Sequence, residues 1–465
     1  MKSFMRKKSI NELQQEGTNS TGLQRILGLW QLTAIGLGGI IGVGIFVLTG
    51  VAAAEHAGPA VILSFMIAGL ASAAAALCYA EFAGLIPVAG SAYTYSYAVL
   101  GEGAAWLIGW DLLLEYTLVI AVVAIGWSGY MQEILQQIGI HVPVWAQGAP
   151  GTGAGHKVDL IAMIISLAIA GLLTIGMKWG ARFNNLMVII KLSIVVVVIA
   201  VGSFYVDTAN WHPFMPFGFH GVMGGAALVF FAVFGYDTLT TAAEEAKNPQ
   251  RDLPRAVVLS LTIALSLYIG MSLVITGMAP YETLGNAAPI AKAFSQVGLN
   301  WITLIISAAA ITGILSVLFS FMLAGSRIWF AMSRDGLLPN WFAKVHSKYK
   351  TPYRPTLIIG AVTAVVSGLT PINEVAELVN IGTLSAFILI CASIMVLRVK
   401  QPNLERRFKT PFVPFVPIIG IGFSIYLIIS LPSITWIRFV IWMIVGFVIY
   451  LFYGKRKSNL SKKLT

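Results

Sequence analysis

The sequence predicts an all-α polytopic membrane protein with twelve transmembrane helices, and three observations predict it. First, 57% of the 465 residues are hydrophobic and 11% are charged, against roughly 25% charged in soluble domains; mean hydropathy is +0.83. Second, the apolar residues gather into twelve runs, at 30–52, 58–86, 104–128, 158–176, 184–205, 220–243, 256–279, 299–326, 356–371, 375–397, 411–431 and 434–453. Such runs are close to the ~20 residues that a membrane helix requires. Third, 26 of the 30 Lys and Arg fall in the alternate segments that include both tails; Lys157, Lys292 and Arg438 fall on the other side, and Lys191 lies within a run. Basic residues concentrate on the cytoplasmic side of membrane proteins, so both termini are expected in the cytoplasm. The net charge of +11 is then a topology signal, and no nucleic-acid partner is expected. A soluble enzyme, a disordered chain and a receptor with a large soluble head are excluded.

Residues 1–29 are polar and basic and read as a cytoplasmic tail, whose MKSFMRKK start could also touch anionic headgroups. No cleavable signal is expected, because the first apolar run is long enough to span and remain. Cys78 and Cys391 both sit inside apolar runs, which argues against a disulfide framework or a cysteine metal site. The six histidines are scattered without a pair at ligand spacing. No metal, no cofactor and no catalytic residue are expected.

The first run contains Gly36, Gly38, Gly39, Gly42 and Gly44, five glycines in nine residues. Each lowers helix propensity by about 1 kcal/mol. Counted at 1.5 Å per residue, Gly42 lies about 18 Å from Trp30, near the middle of a ~30 Å hydrocarbon core. Close helix packing of the GxxxG kind is the alternative use of such glycines. A dinucleotide fingerprint fails, since Ile41 stands where its last glycine belongs and no strand precedes it.

The sixth run enters after the Pro-rich residues 211–218 and reads Val229-Phe230-Phe231-Ala232-Val233-Phe234-Gly235-Tyr236-Asp237 at its centre. Phe231 lies about 16 Å below His220 if the run stays helical. The sixth run crosses in the opposite direction to the first, and each opens a set of five. Interrupted segments at matching positions of two inverted halves point to a transporter's binding site, because non-helical backbone at mid-depth must line a protein-buried cavity. Freed N–H groups near a half-helix N-terminus attract a carboxylate, and freed carbonyls accept from an ammonium. A ligand with both groups about one carbon apart is an α-amino acid.

At these residues the chain resembles the amino acid–polyamine–organocation (APC) superfamily, and most closely the bacterial relatives of the cationic amino acid transporters. Beyond Ile41-Gly42-Val43-Gly44-Ile45-Phe46, the resemblance is carried by Cys78–Phe82, Pro87–Tyr97, Gly109-Trp110, Gly235-Tyr236-Asp237 with Glu244–Arg251, and Ala331–Pro339. It implies the leucine-transporter-like fold: a first inverted repeat over 30–206, a second over 207–398, two accessory helices over 399–453 and a cytoplasmic tail over 454–465. It further implies alternating access around a central site, in which amides of Gly42, Val43 and Gly44 hold the substrate carboxylate. Carbonyls of Ile40, Phe231, Ala232 and Phe234 would hold its ammonium. Members often carry Ser or Thr where this chain has Val43, so a hydroxyl contact is absent.

An ionisable residue within a span costs at least about 2.5 kcal/mol and is a functional candidate by default. Glu81, Asp111, Glu115, Lys191 and Asp237 qualify. Glu81 lies near a helix end, where a cap or surface role competes. Asp111 and Glu115 are four apart on one face, and Glu115 is about 16 Å deep. Snorkelling of its four-carbon stem to the interface is one reading of Lys191. The resemblance implies another: sodium-coupled relatives of the fold carry a cation near where span five meets spans one and eight, and Lys191 would supply a tethered cation there. Desolvation works against a charged ammonium, so its proton could follow the transport cycle. Asp237, past the break in span six, could pair with Lys191, recognise a side chain or tie the unwound backbone.

Glu115, Asp237 and Phe321 are therefore candidates for the side-chain pocket, with Phe231 and Phe234 also bounding it unless these rings only pack helices. If Glu115 or Asp237 faces the pocket, cationic substrates follow; if neither does, small neutral ones. Residues 87–101, rich in Tyr and Ser, read as an amphipathic or re-entrant element for gating or packing. The expected function is a permease importing L-amino acids across the plasma membrane, proton-coupled and sodium-independent, with no obligatory protein partner. An exchanger, a cationic amino acid transporter and a transporter-like amino acid sensor are the alternatives.

Overall fold

The computed structural model describes residues 4, 6–18, 23–42, 44–230, 232–285, 289–429 and 431–462. Its principal helices are α1 Leu29–Ile40, α2 Val61–Leu85, α3 Glu102–Gln137, α4 Leu160–Thr174, α5 Met177–Ser203 and α6 Gly218–Phe230. They continue with α7 Pro249–Met278, α8 Asn300–Arg334, α9 Tyr353–Leu369, α10 Ile372–Lys400, α11 Phe415–Ile429 and α12 Ser433–Ile449. Among the described residues the only extended pairings are isolated bridges, Leu27 with Ala246 and Gln147 with Asp159. Among the described residues seven helical stretches are long and apolar enough to cross a membrane, those of α2, α3, α5, α7, α8, α10 and α12. The shorter apolar helices are α1, α4, α6, α9 and α11. Both glycine-interrupted runs are in this shorter group because their helices stop partway.

The helix contacts form a regular pattern. α1 packs on α7 and α6 on α2; α5 packs on α8 and α10 on α3; α9 packs on α3 and α4 on α8. The pairs α2–α7, α3–α8 and α4–α9 also touch. Small residues allow the close approaches: a Cβ on Gly360 of α9 would strike Ala170 of α4, and one on Gly69 of α2 would meet Leu265 of α7 at 2.5 Å. α11 lies against α10 and α2, and α12 against α10 and α3. The α12 seam is aromatic. Trp110 stacks on Trp442 at 4.5 Å, and the Trp106 indole donates to the Gly446 carbonyl at 2.8 Å, which gives both rings an apolar face and a satisfied N–H. Elsewhere α5 and α12 turn Ile189, Val196, Ile437, Ile441 and Ile444 outward, the face that lipid would cover.

One end of the bundle gathers the charges. The backbone of Phe4 and Arg6 accepts from the first amides of α3, and Ser458 donates to the Glu102 carboxylate at 2.6 Å, so both chain ends lie on the same face. Lys8 pairs with Asp335 at 2.5 Å, Arg334 with Glu244 and Arg327 with Glu245. Glu81, a functional candidate for which a cap or surface role competed, is buried and holds Arg398, Arg406 and the Thr410 amide. The Tyr-rich segment forms the helix Ala92–Val99 with Tyr93, Tyr95 and Tyr97 fully buried, so it is an internal packing element at this end.

These pairs generate a stability contrast. Glu245 and Arg327 are each 1% exposed at 2.8 Å, and removing one member of a buried pair costs about 3–5 kcal/mol. Glu245→Gln is expected to lower the thermal unfolding midpoint markedly. Glu374→Gln, at the exposed pair with Arg438, is expected to change stability by under about 1 kcal/mol.

Candidate functional site

α1 ends at Ile40 because the next residue turns extended: Ile41 has φ −83° and ψ 105°, and its amide still caps back on Leu37 O. Helical backbone resumes at Gly44. α6 ends at Phe230, and residues 232–237 run as turns before a short helix, Thr238–Thr241. Gly235 takes φ +110°, a left-handed conformation that glycine adopts without Cβ strain. The two breaks touch back to back: a Cβ on Gly39 would lie 2.6 Å from Gly235 O, and one on Gly44 would overlap the Ala232 side chain. Of the sequence-predicted residues, Val43 and Phe231 lie outside the described residues.

Between the breaks is a small cavity lined by Gly39, Ile40, Gly42, Gly44, Val119, Val123, Ala232, Phe234, Val317 and Phe321. Its free volume of about 20 Å³ is room for one water, so the walls are drawn in. The structure thus brings together Ile40, Gly42, Gly44, Ala232, Phe234 and Phe321. Neither Glu115 nor Asp237 is among the lining residues. An aromatic wall stands in between: Phe234 meets Phe321 edge-on at 6.0 Å, and Phe321 meets Tyr116 edge-on at 5.3 Å. Behind it the Tyr116 hydroxyl donates to Asp237, and Thr383 donates to Glu115 at 2.7 Å. One oxygen each of Asp111, Glu115 and Asp237 has no hydrogen-bond partner in the structure, so the three carboxyls form a buried polar region beside the cavity.

Lys191 does not snorkel. Its side chain is fully buried, and the ammonium donates to the carbonyls of Leu37 at 3.0 Å, Gly38 at 3.3 Å and Ile41 at 2.5 Å, and to Ser316 Oγ at 2.5 Å. Gly38 O and Ile41 O are carbonyls left over where α1 stops, at the negative end of its dipole, and on Leu37 O the ammonium joins the Ile41 amide. One cation therefore ties α5, α1 and α8 together. Asn184 of α5 and Ser320 of α8 reinforce the joint by donating to Ala34 O and Ile35 O.

Sequence reasoning missed Tyr268 of α7, whose hydroxyl lies 3.1 Å from Ile40 O and 2.9 Å from Ala232 O. It also missed Tyr116, Ser316 and Thr383. Their signal was only a hydroxyl inside an apolar run, which most often bonds its own helix.

A profile of the amino acid permease family matches residues 27–454. The chain is 47% identical over 462 residues to a methylthioribose transporter of Bacillus subtilis, covering 99% of this chain and 100% of the relative. It is also 47% identical over 463 residues to the branched-chain amino acid permease BcaP of the same organism, covering 99% of each. Identity is 30% over 584 residues to the vacuolar cationic amino acid transporter 4 of Arabidopsis thaliana, covering 99% of this chain and 97% of the relative.

The glycine contact generates a prediction. Gly39→Ala places its methyl 2.6 Å from the backbone oxygen of Gly235, and such overpacking costs about 1–3 kcal/mol. A lowered thermal unfolding midpoint is expected. Gly171→Ala in α4, with nothing within 4 Å of the new methyl, is expected to be neutral or slightly stabilising.

Proposed function

The chain belongs to the amino acid permease family, and on that premise we propose that it is a secondary active transporter importing L-amino acids across the plasma membrane by alternating access. The observation that carries the reading is the meeting of two interrupted helices, at Ile40–Gly44 and at Ala232–Phe234, around one small cavity. Amides at Gly42 and Gly44 would receive the carboxylate, and carbonyls of Ile40, Ala232 and Phe234 the ammonium. We propose twelve spans: two inverted five-helix repeats followed by two accessory helices, with both termini cytoplasmic. This arrangement is supported by the helix contacts, because exchanging each of α1–α5 with its counterpart in α6–α10 converts α1–α7 into α6–α2, α5–α8 into α10–α3 and α9–α3 into α4–α8.

The substrate we propose is a neutral aliphatic amino acid. Val119, Val123, Val317 and Phe321 present hydrocarbon to the side-chain space, and the nearest carboxylates lie behind Tyr116. The name of the branched-chain relative supports this choice. A second reading, an uncharged thiosugar, is favoured by the equally similar methylthioribose transporter. A ligand-induced thermal shift panel of the twenty amino acids and methylthioribose separates the two. Stabilisation by leucine, isoleucine and valine is expected, with no dependence on sodium; stabilisation by methylthioribose alone would overturn the amino acid reading. Glu115→Gln is expected to leave the leucine shift unchanged, and a selective loss for arginine in that variant would instead place Glu115 in the pocket.

For coupling we propose that the Lys191 ammonium does what a bound sodium ion would do, and exchanges its proton during the cycle. Its four acceptors support that role. Lys191→Met in proteoliposomes is expected to abolish accumulation of leucine driven by a pH gradient. Undiminished accumulation would remove Lys191 from coupling.

A further inference from the structure

The Tyr268 hydroxyl carries one hydrogen yet lies between two acceptors, Ala232 O and Ile40 O, one from each interrupted helix. It can serve only one at a time. The hydroxyl is also 3.1 Å from where a Cβ on Gly44 would be, and Ile40, Ala232 and Gly44, the three residues it approaches, all line the cavity. The phenol is held there by stacking on Phe65, with ring centroids 4.9 Å apart and planes 13° from parallel. Phe65 belongs to α2 and Tyr268 to α7, so neither is part of a broken helix. An ammonium has three donors and a charge, and charge-assisted bonds are roughly twice as strong as neutral ones. It could therefore satisfy both carbonyls together.

We propose that Tyr268 is a positioning residue whose hydroxyl competes with the substrate's ammonium for the Ile40 and Ala232 carbonyls, and that the substrate displaces it from them. The inference rests on the amino acid reading of the site. The hydroxyl bridges α1 to the segment after α6 until an ammonium takes its place. Its removal lifts the competition with the ammonium and loosens the empty bridge.

Two measurements on the full-length protein test this. In the first, Tyr268→Phe is compared with the unmodified protein for binding L-leucine and its deaminated analogue 4-methylpentanoate. Leucine is expected to bind about tenfold more tightly to the variant, the scale of one hydrogen bond, with 4-methylpentanoate unchanged. An equal change for both ligands, or weaker leucine binding, would overturn the proposal, whereas a merely structural role would move both alike. In the second, Val317→Cys is labelled by a small thiol reagent without any ligand. Labelling is expected to quicken several-fold when Tyr268→Phe is added, and equal rates would overturn the proposal. This second readout needs no substrate, so failure of every amino acid to bind would count against the functional reading alone. Should Tyr268→Phe not fold, Phe65→Leu, which removes the supporting ring, is expected to move both readouts in the same direction.

Discussion

The Lys191 ammonium is the interaction on which the centre of this molecule depends. A helix that stops in mid-bilayer leaves carbonyls without donors, and each costs several kcal/mol in a medium that has no water to offer. Gly38 and Ile41 would carry that penalty at the end of α1, while Leu37 O already accepts from the Ile41 amide. A buried amine alone would carry a larger one. Placed together, each relieves the other, and the α1 dipole adds a favourable field. The interruption and the buried lysine are thus one feature: neither is tolerable without its counterpart, and Ser316 extends the joint to α8.

The same economy governs a second group of buried charges. Glu81 lies between Arg398 and Arg406, Glu245 against Arg327, and Asp335 between Lys8 and Tyr93. All sit toward one end of the bundle, where the chain tails fold back over α3 and α8. The other end has few such ties among the described residues, the Glu374–Arg438 pair being solvent-exposed. The two ends therefore differ in kind: one is stitched by ion pairs drawn from distant parts of the chain, the other closed mainly by apolar packing.

Much of this was legible in the sequence. The dense glycines of the first run located its interruption to within a residue or two, because glycine frequency and helix continuity are linked by local backbone energetics, and the sixth was placed by matching depth, at Phe231. Lys191 was legible as a functional candidate since charge in an apolar run is costly. Its contact set was not: it is built from carbonyls, which every residue possesses and no sequence advertises. Tyr268 was hidden for the same reason, as an acceptor pair 36 and 228 positions away leaves no periodic trace. The end of α8 was read too short, because Arg327 and Arg334 in its final turns look like loop until their partners Glu245 and Glu244 are known. Glu115 and Asp237 were correctly singled out as buried, but depth alone could not say on which side of Tyr116 they lie.

The meeting of Gly39 with Gly235 has a mechanical consequence. Most of the core is interlocked, ring against ring and branched chain against groove, so sliding one helix there means lifting side chains out of their sockets. Where main chain rests on main chain there is nothing to unseat. At their crossing the two half-built helices lean on bare backbone, so what would resist a swivel of one upon the other is the set of ties that Lys191, Asn184 and Ser320 make to α1.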